Sequence, residues 1–594
     1  MIKSFRYLKP YILHIIALII LVYITVYTTL QLPDYMARII NQGIVAKDNN
    51  FVLTTGLTML IISLVGAAST IGVGFLASKI ATGFSMDLRE KLFSRVESFS
   101  LVEFNKFSTA SLITRSTNDI QQVQMVLVML LRLVLQAPIT GVWAIYKAYH
   151  LAPSMSWIMA LAVAILVTII IILFSVALPK FKILQTFVDK LNLVTRQNLT
   201  GLRVIRAFNN EKFEESKFEK ANQELTNINL FVNRLMVIMQ PVMMLIMNLT
   251  AVLVVWTGSH LISTGNLEIG NMIAFIQYSL QVIGAFLMIS IIFIMVPRAS
   301  VSAKRVMDVI ETEPIIKDPK QPRKTNSKNG FVEFKNVTFC YKSADTPVIE
   351  NISFTAQPGE TTAIIGSTGS GKSTVINLIP RFYDVSSGEV LIDGIDVKDY
   401  MLEDLYQKIG YVPQKAVLFS GSVEDNIKYG KPRATTKEIA EAAKTAEAKE
   451  FINNLPDQYK SSIAQGATNI SGGQKQRLSI ARAIAKNPEI YIFDDSFSAL
   501  DFKTDRALRD NLTREIKQKT VIIVAQRIST ILNANKILVL DNGKIVGEGT
   551  HEELLKSNKV YKEIAYSQLS EKELKAFSQE KAKKSTLRMI GGAV

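Results

Sequence analysis

The sequence predicts two domains of different class: a membrane α-helical domain with six transmembrane helices, followed by an α/β P-loop nucleotide-binding domain. Long apolar stretches fill the first half of the chain, strand-length apolar runs alternate with helical ones in the second half, and the string GSTGSGKST matches a phosphate-binding loop. The predicted boundaries are 1–316 for the membrane domain, 317–330 for a linker, 331–569 for the nucleotide domain and 570–594 for a charged tail.

The composition excludes several classes of protein. The chain has 594 residues, 48% of them hydrophobic and 20% charged, with a mean hydropathy of +0.23. Such a chain is neither disordered nor collagen-like, and its one cysteine, Cys340, excludes an intrachain disulfide and a metal site built on several thiolates. The net charge of +16 fits nucleic acid, an anionic membrane surface or the cytoplasmic loops of a membrane protein, and the positions of the charges decide among these.

Stretches almost free of charged residues mark the membrane domain. A helix needs about 20 apolar residues to cross a bilayer, and six stretches reach that length. They lie at 10–33, 49–78, 120–146, 148–179, 235–267 and 269–297, and the third carries a single charge, Arg132. The sequence therefore predicts six spans.

The Lys and Arg residues between these stretches predict their orientation, because positively charged loops stay in the cytoplasm. Segment 79–119 holds six of them and segment 180–234 holds ten, whereas segment 34–48 holds two. Both termini and the nucleotide domain are therefore expected in the cytoplasm, and the chain is expected to be a multi-pass protein within the lipid bilayer of the cell membrane. Nucleic acid is not expected as a partner, because much of the positive charge serves orientation.

The two basic segments are longer than a hairpin between spans requires, and their apolar residues recur with a period near 3.6. We expect membrane helices that continue into the cytoplasm and meet a cytoplasmic partner; a solvated pair of charged helices is the alternative. Beyond the Pro-, Lys- and Asn-rich linker, alternating strand-like and helical runs predict a largely parallel, doubly wound sheet. The strand-like runs are VEFKNVTFCY, TTAIIG, EIYIFDD, TVIIVA and KILVLD.

The string GSTGSGKST follows one of these strand-like runs and precedes a helix-like one, which is the context that a phosphate-binding loop requires. Its glycines let backbone N–H groups turn inward around a β-phosphate. Lys372 is expected to reach the β- and γ-phosphates of ATP, and the Ser373 hydroxyl is expected to bind Mg²⁺. The predicted nucleotide-binding residues are Gly366, Ser367, Thr368, Gly369, Ser370, Gly371, Lys372, Ser373 and Thr374. A plain glycine turn is the alternative.

A carboxylate at the end of an apolar strand is also required, to hold Mg²⁺ through its water shell beside the phosphate loop. The run IYIFDD at 490–495 supplies Asp494 for this role. These two elements predict a P-loop NTPase and leave its class open.

Four further segments narrow the class. ISGGQKQRLSIARA at 470–483 resembles the signature motif of ATP-binding cassette (ABC) proteins. Tyr341 matches the family's adenine-stacking position, Gln414 in YVPQ matches its Q-loop, and SALD at 498–501 matches its D-loop. Six spans followed by one cassette, with EFNKFSTASLITRSTNDI and NLTGLRVIRAFNNE in the basic segments, are similar to a half-transporter of the ABC exporter type.

The resemblance implies a dimer in which each ATP lies between the phosphate loop of one chain and the signature of the other. The signature residues that would contact the partner's nucleotide are Ser471, Gly472, Gly473 and Gln474. By the same resemblance, Ser373, Gln414 and Asp494 would hold Mg²⁺. A flexible glycine loop is the alternative for the signature segment.

Two positions depart from the family pattern. Active cassettes usually carry Glu after the strand-end Asp and His at the switch position, and this chain has Asp495 and Gln526 there. A carboxylate drawn back by about 1.5 Å can cost around a hundredfold in rate, and Gln cannot act as a cation or general acid as His can. This distribution resembles the degenerate-site subunit of heterodimeric bacterial multidrug exporters, which implies a second, different half-transporter with Glu and His as partner.

Other hypotheses remain open at this stage. The chain could form a homodimeric exporter that hydrolyses ATP slowly, or an ATP-gated regulator or channel on the same scaffold. For the substrate, an apolar small molecule is expected. Eight methionines in the last two spans suit an adaptable binding surface, although packing or lipid contact explains them equally well. They are Met236, Met239, Met243, Met244, Met247, Met272, Met288 and Met295. Arg132 and Lys147 are expected to anchor the third span at the membrane interfaces.

Overall fold

The computed structural model describes residues 2–324, 329–342 and 344–568, so the predicted tail at 570–594 lies outside the described residues. The chain divides into two compact units. The first comprises Met1–Ser98 and Phe107–Glu313, and the second comprises Phe99–Lys106 and Pro314–Val594. A short part of the first basic segment therefore belongs to the second unit.

The first part of the chain is helical and begins with a 3₁₀ segment, Ile2–Tyr11. The α-helices that follow are α1 (Ile12–Arg38), α2 (Asn49–Glu97), α3 (Leu101–Lys106), α4 (Thr109–Thr114), α5 (Ile120–Met129), α6 (Leu135–Leu151), α7 (Ser156–Ala207), α8 (Glu211–Ser263) and α9 (Ile269–Glu311). Turns of π-helix at Arg115–Asp119 and Leu130–Val134 join α4, α5 and α6 into one continuous span.

Six helical segments of the described residues are long and apolar enough to cross a membrane, which confirms the predicted number. They are Lys3–Ile44, Asn49–Glu97, Thr109–Leu151, Pro153–Ala177, Glu211–Ser263 and Ile269–Ile289. Helix α2 begins where the Asp48 side chain accepts a hydrogen bond from the Phe51 N–H at 3.0 Å. Helices α2, α7 and α8 continue well past their apolar stretches, as the period of the basic segments predicts.

The second unit is built on strands of two sheets and a short ribbon. The strands are β1 (Val332–Phe339), β2 (Ile349–Ala356), β3 (Thr361–Gly366), β4 (Ser387–Ile392), β5 (Ile395–Asp396), β6 (Ile409–Val412), β7 (Gly421–Ser422), β8 (Ser462–Ile463), β9 (Ile490–Asp494), β10 (Thr520–Val524), β11 (Lys536–Asp541) and β12 (Lys544–Gly549). The larger sheet of the described residues has the order β12-β11-β3-β10-β9-β6, and only the β11–β12 pair is antiparallel.

Further α-helices lie between and after these strands in the chain. They are α10 (Lys372–Leu378), α11 (Leu402–Lys408), α12 (Val423–Lys428), α13 (Thr436–Thr445), α14 (Lys449–Asn453), α15 (Gly472–Lys486), α16 (Phe502–Glu515), α17 (Ile528–Ile531), α18 (His551–Ser557) and α19 (Lys559–Gln568). Strands β3, β9, β10 and β11 are buried over most of their length, which explains their continuous apolar runs.

The run VEFKNVTFCY is the exception to the predicted parallel sheet. Its strand β1 lies in a separate antiparallel sheet with the order β2-β1-β4-β5. Its burial alternates in part, with exposed residues at 335 and 336, which is typical of a strand with one covered face. The α-helical membrane domain and the α/β P-loop domain are otherwise as predicted.

Candidate nucleotide site

The predicted site residues meet at one edge of the larger sheet. Strands β3, β10, β9 and β6 are parallel neighbours, so their carboxyl ends lie side by side. Val524 at the end of β10 pairs with Ile364 of β3 and with Asp494 of β9. This register brings the phosphate loop, the acidic pair, the switch position and the Q-loop to the same edge.

Two glycines of the phosphate loop are required by its geometry. A Cβ on Gly366 would lie 2.1 Å from the backbone oxygen of Leu540 on the neighbouring strand. Gly371 has φ +96°, a left-handed conformation that L side chains rarely adopt, and a Cβ there would lie 2.6 Å from the Ile349 side chain. The loop therefore has the tight curvature that directs backbone N–H groups inward.

Lys372 lies in the centre of this loop and is buried. Its Nζ donates hydrogen bonds to the carbonyl oxygens of Gly366 at 2.9 Å and Ser367 at 2.6 Å. Burial lowers the pKa of Lys372, and the nearby carboxylates of Asp495 and Asp494 partly oppose that shift. The ammonium group is thus held where the sequence places the β- and γ-phosphates.

Ser373 and Asp494 form a pair that suits a magnesium ion. The Ser373 Oγ donates to Asp494 Oδ1 at 3.2 Å. Asp494 is buried, which raises its pKa, and the Ser373 hydrogen bond opposes that rise. Among the described residues no group of three or more His, Cys, Asp or Glu side chains is placed to hold a metal. A hydroxyl and one carboxylate, completed by phosphate oxygens and water, is the donor set that Mg²⁺ commonly uses.

Asp495 contacts the Q-loop. The Gln414 Nε2 donates to Asp495 Oδ2 at 3.3 Å, and the Asp495 backbone N–H donates to the Val524 oxygen at 2.9 Å. Asp495 is buried and its φ is +47°. The carboxylate at the predicted base position is therefore engaged with Gln414.

Tyr341 lies beside the end of the phosphate loop. Its hydroxyl is 3.2 Å from Thr374 Oγ1, and either oxygen could be the donor. Its ring meets Phe339 and Tyr383 edge to face, with centroids 4.8 and 5.3 Å away. The side chain predicted to stack on adenine is therefore fixed beside the last residue of the phosphate loop.

The signature residues form the beginning of α15. The Ser471 Oγ accepts from the Gln474 N–H at 3.3 Å, and the Gln474 side chain accepts from the Ser471 N–H at 2.9 Å, which is a complete capping box. A Cβ on Gly472 would meet nothing within 4 Å, whereas one on Gly473 would lie 3.3 Å from the Ala499 oxygen. Gly472 is thus the signature glycine with open space beside it.

Comparisons with known proteins show the family of the chain. The family model for the ABC transporter transmembrane region matches residues 15–286, and the model for the ABC transporter domain matches residues 349–498. An uncharacterised ABC transporter ATP-binding protein of Mycobacterium tuberculosis is 40% identical over 567 residues, which cover 95% of this chain and 97% of that protein. The chain belongs to the ABC transporter family.

Two further similarities indicate the type of ABC transporter. The ATP-dependent lipid A-core flippase of Syntrophus aciditrophicus is 31% identical over 519 residues, covering 87% of this chain and 85% of that protein. The solved structure of a bacterial Atm1-family ABC exporter with ATP bound superposes with a TM-score of 0.79 at 25% identity, covering 93% of this chain and 98% of that one. This ABC transporter has the exporter fold, and its ATP-binding domain belongs to a class that hydrolyses ATP with Mg²⁺ as the usual partner.

The switch position of the transporter, Gln526, lies two residues after the end of β10. The Gln526 side chain is exposed, and its backbone oxygen accepts a hydrogen bond from the Gln568 side chain at 2.7 Å. Gln526 can be recognised in the sequence by its place after an apolar strand, whereas Gln568 belongs to no motif and lies 42 residues away.

The cytoplasmic helix α3 is a second feature that the motifs did not reveal. Leu101 and Val102 pack against the core beneath the smaller sheet of the second unit. The Asn105 side chain hydrogen-bonds Tyr383, whose ring contacts Tyr341. A series of side-chain contacts therefore connects the first basic segment of the ABC transporter with Thr374 in its phosphate loop.

The membrane residues that the sequence singled out have separate environments. Lys147 pairs with Asp34 of α1 and donates to Gln31 Oε1 at 3.2 Å, so it makes an interhelical contact where the sequence predicted an interfacial anchor. Met243 is buried in a cluster with Leu166, whereas Met244 is exposed. Met243 and Met244 therefore do not share one surface, and the side chain of Met236 lies outside the described residues.

Proposed function

We propose that this chain is the degenerate-site subunit of a heterodimeric ABC exporter in the cell membrane of a bacterium. Its nucleotide-binding domain lies in the cytoplasm, and the pair moves amphipathic or hydrophobic compounds of the multidrug type out of the cell. The partner is a second half-transporter with Glu at the base position and His at the switch. ATP and Mg²⁺ bind at two composite sites, and hydrolysis takes place mainly at the site that this chain's signature completes.

One observation carries the proposal: the carboxylate at the base position is short and is engaged with Gln414 at 3.3 Å. A general base must come within hydrogen-bonding reach of the water that it activates. A carboxylate that is about 1.5 Å short and bound to a neighbour is poorly placed for this, and a displacement of that order can cost about a hundredfold in rate. The side chain at the switch, Gln526, supplies no imidazolium in compensation.

The residues proposed to bind ATP form one connected set of contacts. The curved loop, the buried Lys372 and the Ser373–Asp494 pair would hold the phosphates and a magnesium ion. Bound magnesium neutralises phosphate charge, while the protein positions the nucleotide. This chain's own site is therefore suited to retaining ATP.

The signature supports a composite site with a different chain. Its capping box fixes the first turn of α15, and Gly472 has open space beside it. Backbone N–H groups at the beginning of a 15-residue helix favour an anion. This chain combines an intact signature with an altered base position. Such a signature is useful for hydrolysis only if the nucleotide that it contacts is bound to a different chain, one whose base position is intact.

The proposed substrate class rests on the resemblance to multidrug exporters and on the fold. The relative named as a lipid A-core flippase acts on an amphipathic lipid, which lies within the same chemical class. Loss of export of one compound from a panel of fluorescent drugs and labelled lipids, in cells that lack the gene, would identify the substrate.

The test of the proposal is the ATPase activity of the purified chain in lipid nanodiscs, alone and with the half-transporter encoded beside it. We expect little activity from the chain alone and at least a tenfold increase with the partner. Brisk turnover by the chain alone would favour the homodimeric exporter. Accumulation of substrate against a gradient in inside-out vesicles separates an exporter from an ATP-gated channel, because a channel cannot move substrate uphill.

A further inference from the structure

The turn between β10 and α17 carries the switch position Gln526 and is called the switch loop below. It is hydrogen-bonded to Gln568, the last described residue of the chain. The Gln568 Nε2 donates to the backbone oxygen of Gln526 at 2.7 Å, and the Ile528 N–H donates to Gln568 Oε1 at 2.8 Å. Both ends of one side-chain amide are therefore bound to backbone groups on either side of Arg527. This closes a ring around the turn between β10 and α17.

The position of Gln568 is fixed by the helix that carries it. Tyr561 and Ala565 of α19 are fully buried in the larger core of the second unit, and Val560 and Ile564 pack against the same core. The Tyr561 hydroxyl lies 2.7 Å from Nδ1 of His551. The last turn of α19 thus presents the Gln568 amide from a rigid support, although the side chain itself is exposed.

The turn that Gln568 holds lies beside the phosphate loop. The Ala525 N–H donates to the Ile364 oxygen of β3 at 3.1 Å, and the Asp495 N–H donates to the Val524 oxygen. The backbone up to residue 525 is therefore fixed by hydrogen bonds of the sheet, whereas the next residue, Gln526, lies beyond the end of the strand. The backbone oxygen of Gln526 accepts its hydrogen bond from the Gln568 side chain.

We propose that Gln568 is a positioning residue for the nucleotide site: it fixes the switch loop so that the Gln526 side chain faces the nucleotide on this chain's phosphate loop. It acts through Gln526 and touches no phosphate itself. The role holds whether this site hydrolyses ATP or only retains it, so it does not depend on the proposed heterodimer. The end of α19 thereby sets how long ATP stays bound.

The test measures the retention of ATP on this chain. The full-length transporter is loaded with a non-hydrolysable azido analogue of ATP and chased with unlabelled ATP, and photolabelling of this chain is followed over time. We expect Gln568→Ala to release the analogue about fivefold faster, because two hydrogen bonds that fix the loop are lost. Gln568→Glu keeps an acceptor for the Ile528 N–H but cannot donate to the Gln526 oxygen, so faster release than in the parent chain is expected here too.

A double-mutant cycle separates positioning from a general structural role. If Gln568 acts through Gln526, the double variant with Gln526→Ala releases the analogue no faster than Gln526→Ala alone. The matched control is Ser567→Ala, since the Ser567 hydroxyl donates only to the Ile564 oxygen of its own helix at 2.8 Å. Additive effects of the two variants, or a release rate for Gln568→Ala equal to that of Ser567→Ala, would overturn the proposal.

Discussion

The backbone at Asp495 adopts φ +47°, in the left-handed region where Asp and Asn are found more often than longer side chains. The residue continues the contacts of β9, because its N–H donates to Val524, and it turns its carboxylate towards Gln414. The substitution of Asp for Glu at this position therefore suits the local backbone as well as shortening the side chain.

Restoring Glu at this position tests how far the base alone limits hydrolysis. We expect Asp495→Glu to raise the ATPase rate of this chain's site by less than about tenfold, because Gln526 still lacks an imidazole and Glu is less suited to the left-handed backbone. The site-specific rate can be read from turnover in a complex whose partner site is inactivated. Adding Gln526→His should give a larger gain than either change alone. A hundredfold gain from Asp495→Glu alone would show that the base position is the one defect.

The two nucleotide sites can be separated by substitutions at Lys372 and Gly472. Lys372→Ala removes the ammonium group from this chain's own phosphate loop, so ATP retention there should fall while transport drops only a few-fold. Gly472→Val adds atoms on the open side of the signature, where a Cβ meets nothing of this chain within 4 Å, so turnover at the partner's site should be lost. Transport and photolabelling of each subunit measure the two effects.

The opposite ranking of these variants would mean that the assignment of the two sites is exchanged. Gly472 is a better probe than Gly473, because a side chain at 473 would press on the Ala499 oxygen of the same chain at 3.3 Å. An unchanged melting temperature for Gly472→Val shows that the fold of this chain is intact.

Helix α11 ends in a lysine that joins three segments of the nucleotide domain. The Lys408 Nζ lies 3.0 Å from Asp393 Oδ2 and 2.5 Å from Glu489 Oε2, and its side chain is 13% exposed. Burial acts to lower the pKa of Lys408, but its hydrogen bonds to Glu489 and Asp393 hold that pKa above the ordinary value. The charged form is therefore stabilised on folding at neutral pH, and this contribution is lost only when the pH rises through the folded pKa.

Removal of this lysine should leave two uncompensated carboxylates. Lys408→Met is expected to cost about 3 kcal/mol of domain stability and to lower its melting temperature by roughly 6–12 °C, measured by dye-monitored unfolding. Lys559→Met is the control, because its 3.9 Å pair with Glu563 is exposed and such pairs contribute about 0–1 kcal/mol. Equal shifts for the two variants would contradict a stabilising role for the buried cluster.

The elements that sequence could predict are those with a local pattern. The length of the stretches almost free of charged residues predicted the membrane spans. The apolar runs before the phosphate loop and before the acidic pair predicted the strands whose carboxyl ends meet at the site. The contacts that it missed join distant parts of the chain: Asn105 with Tyr383, Gln568 with Gln526, and Lys147 with Asp34. Such pairs leave no periodicity or motif, because each partner is an ordinary residue in its own segment.

The two units of the molecule are not consecutive in the sequence, because one short segment of the first half belongs to the second unit. Residues Phe99–Lys106 lie between two parts of the first unit in the chain but belong to the second. Glu103 accepts a hydrogen bond from the Ile315 N–H at 3.3 Å, where the chain enters the nucleotide domain. Helix α3 is therefore joined to the rest of the second unit by side-chain packing and by a hydrogen bond to the backbone at Ile315.

The last prediction concerns the sequence of the other half. If this exporter resets by cleaving ATP, a competent base and switch must exist, and this chain has Asp495 and Gln526 at those positions. In the proposed heterodimer, its capped signature would serve a site whose phosphate loop belongs to the partner. The partner should therefore carry Glu after its strand-end Asp and His at its switch, while its own signature, which faces the weaker site, is free to depart from Ser-Gly-Gly-Gln.

The measurement is the sequence of the half-transporter that copurifies with this chain from native membranes. A homodimer would yield only this chain and would remove the need for a second sequence. A partner with Asp and Gln at the same two positions would leave neither composite site with a base, and hydrolysis at the partner's site would then have no physical means. A partner with Glu and His but an altered signature would agree with the proposal. The altered residues of both chains would then lie at the site proposed to retain ATP, and the unaltered residues would lie at the site proposed to cleave it.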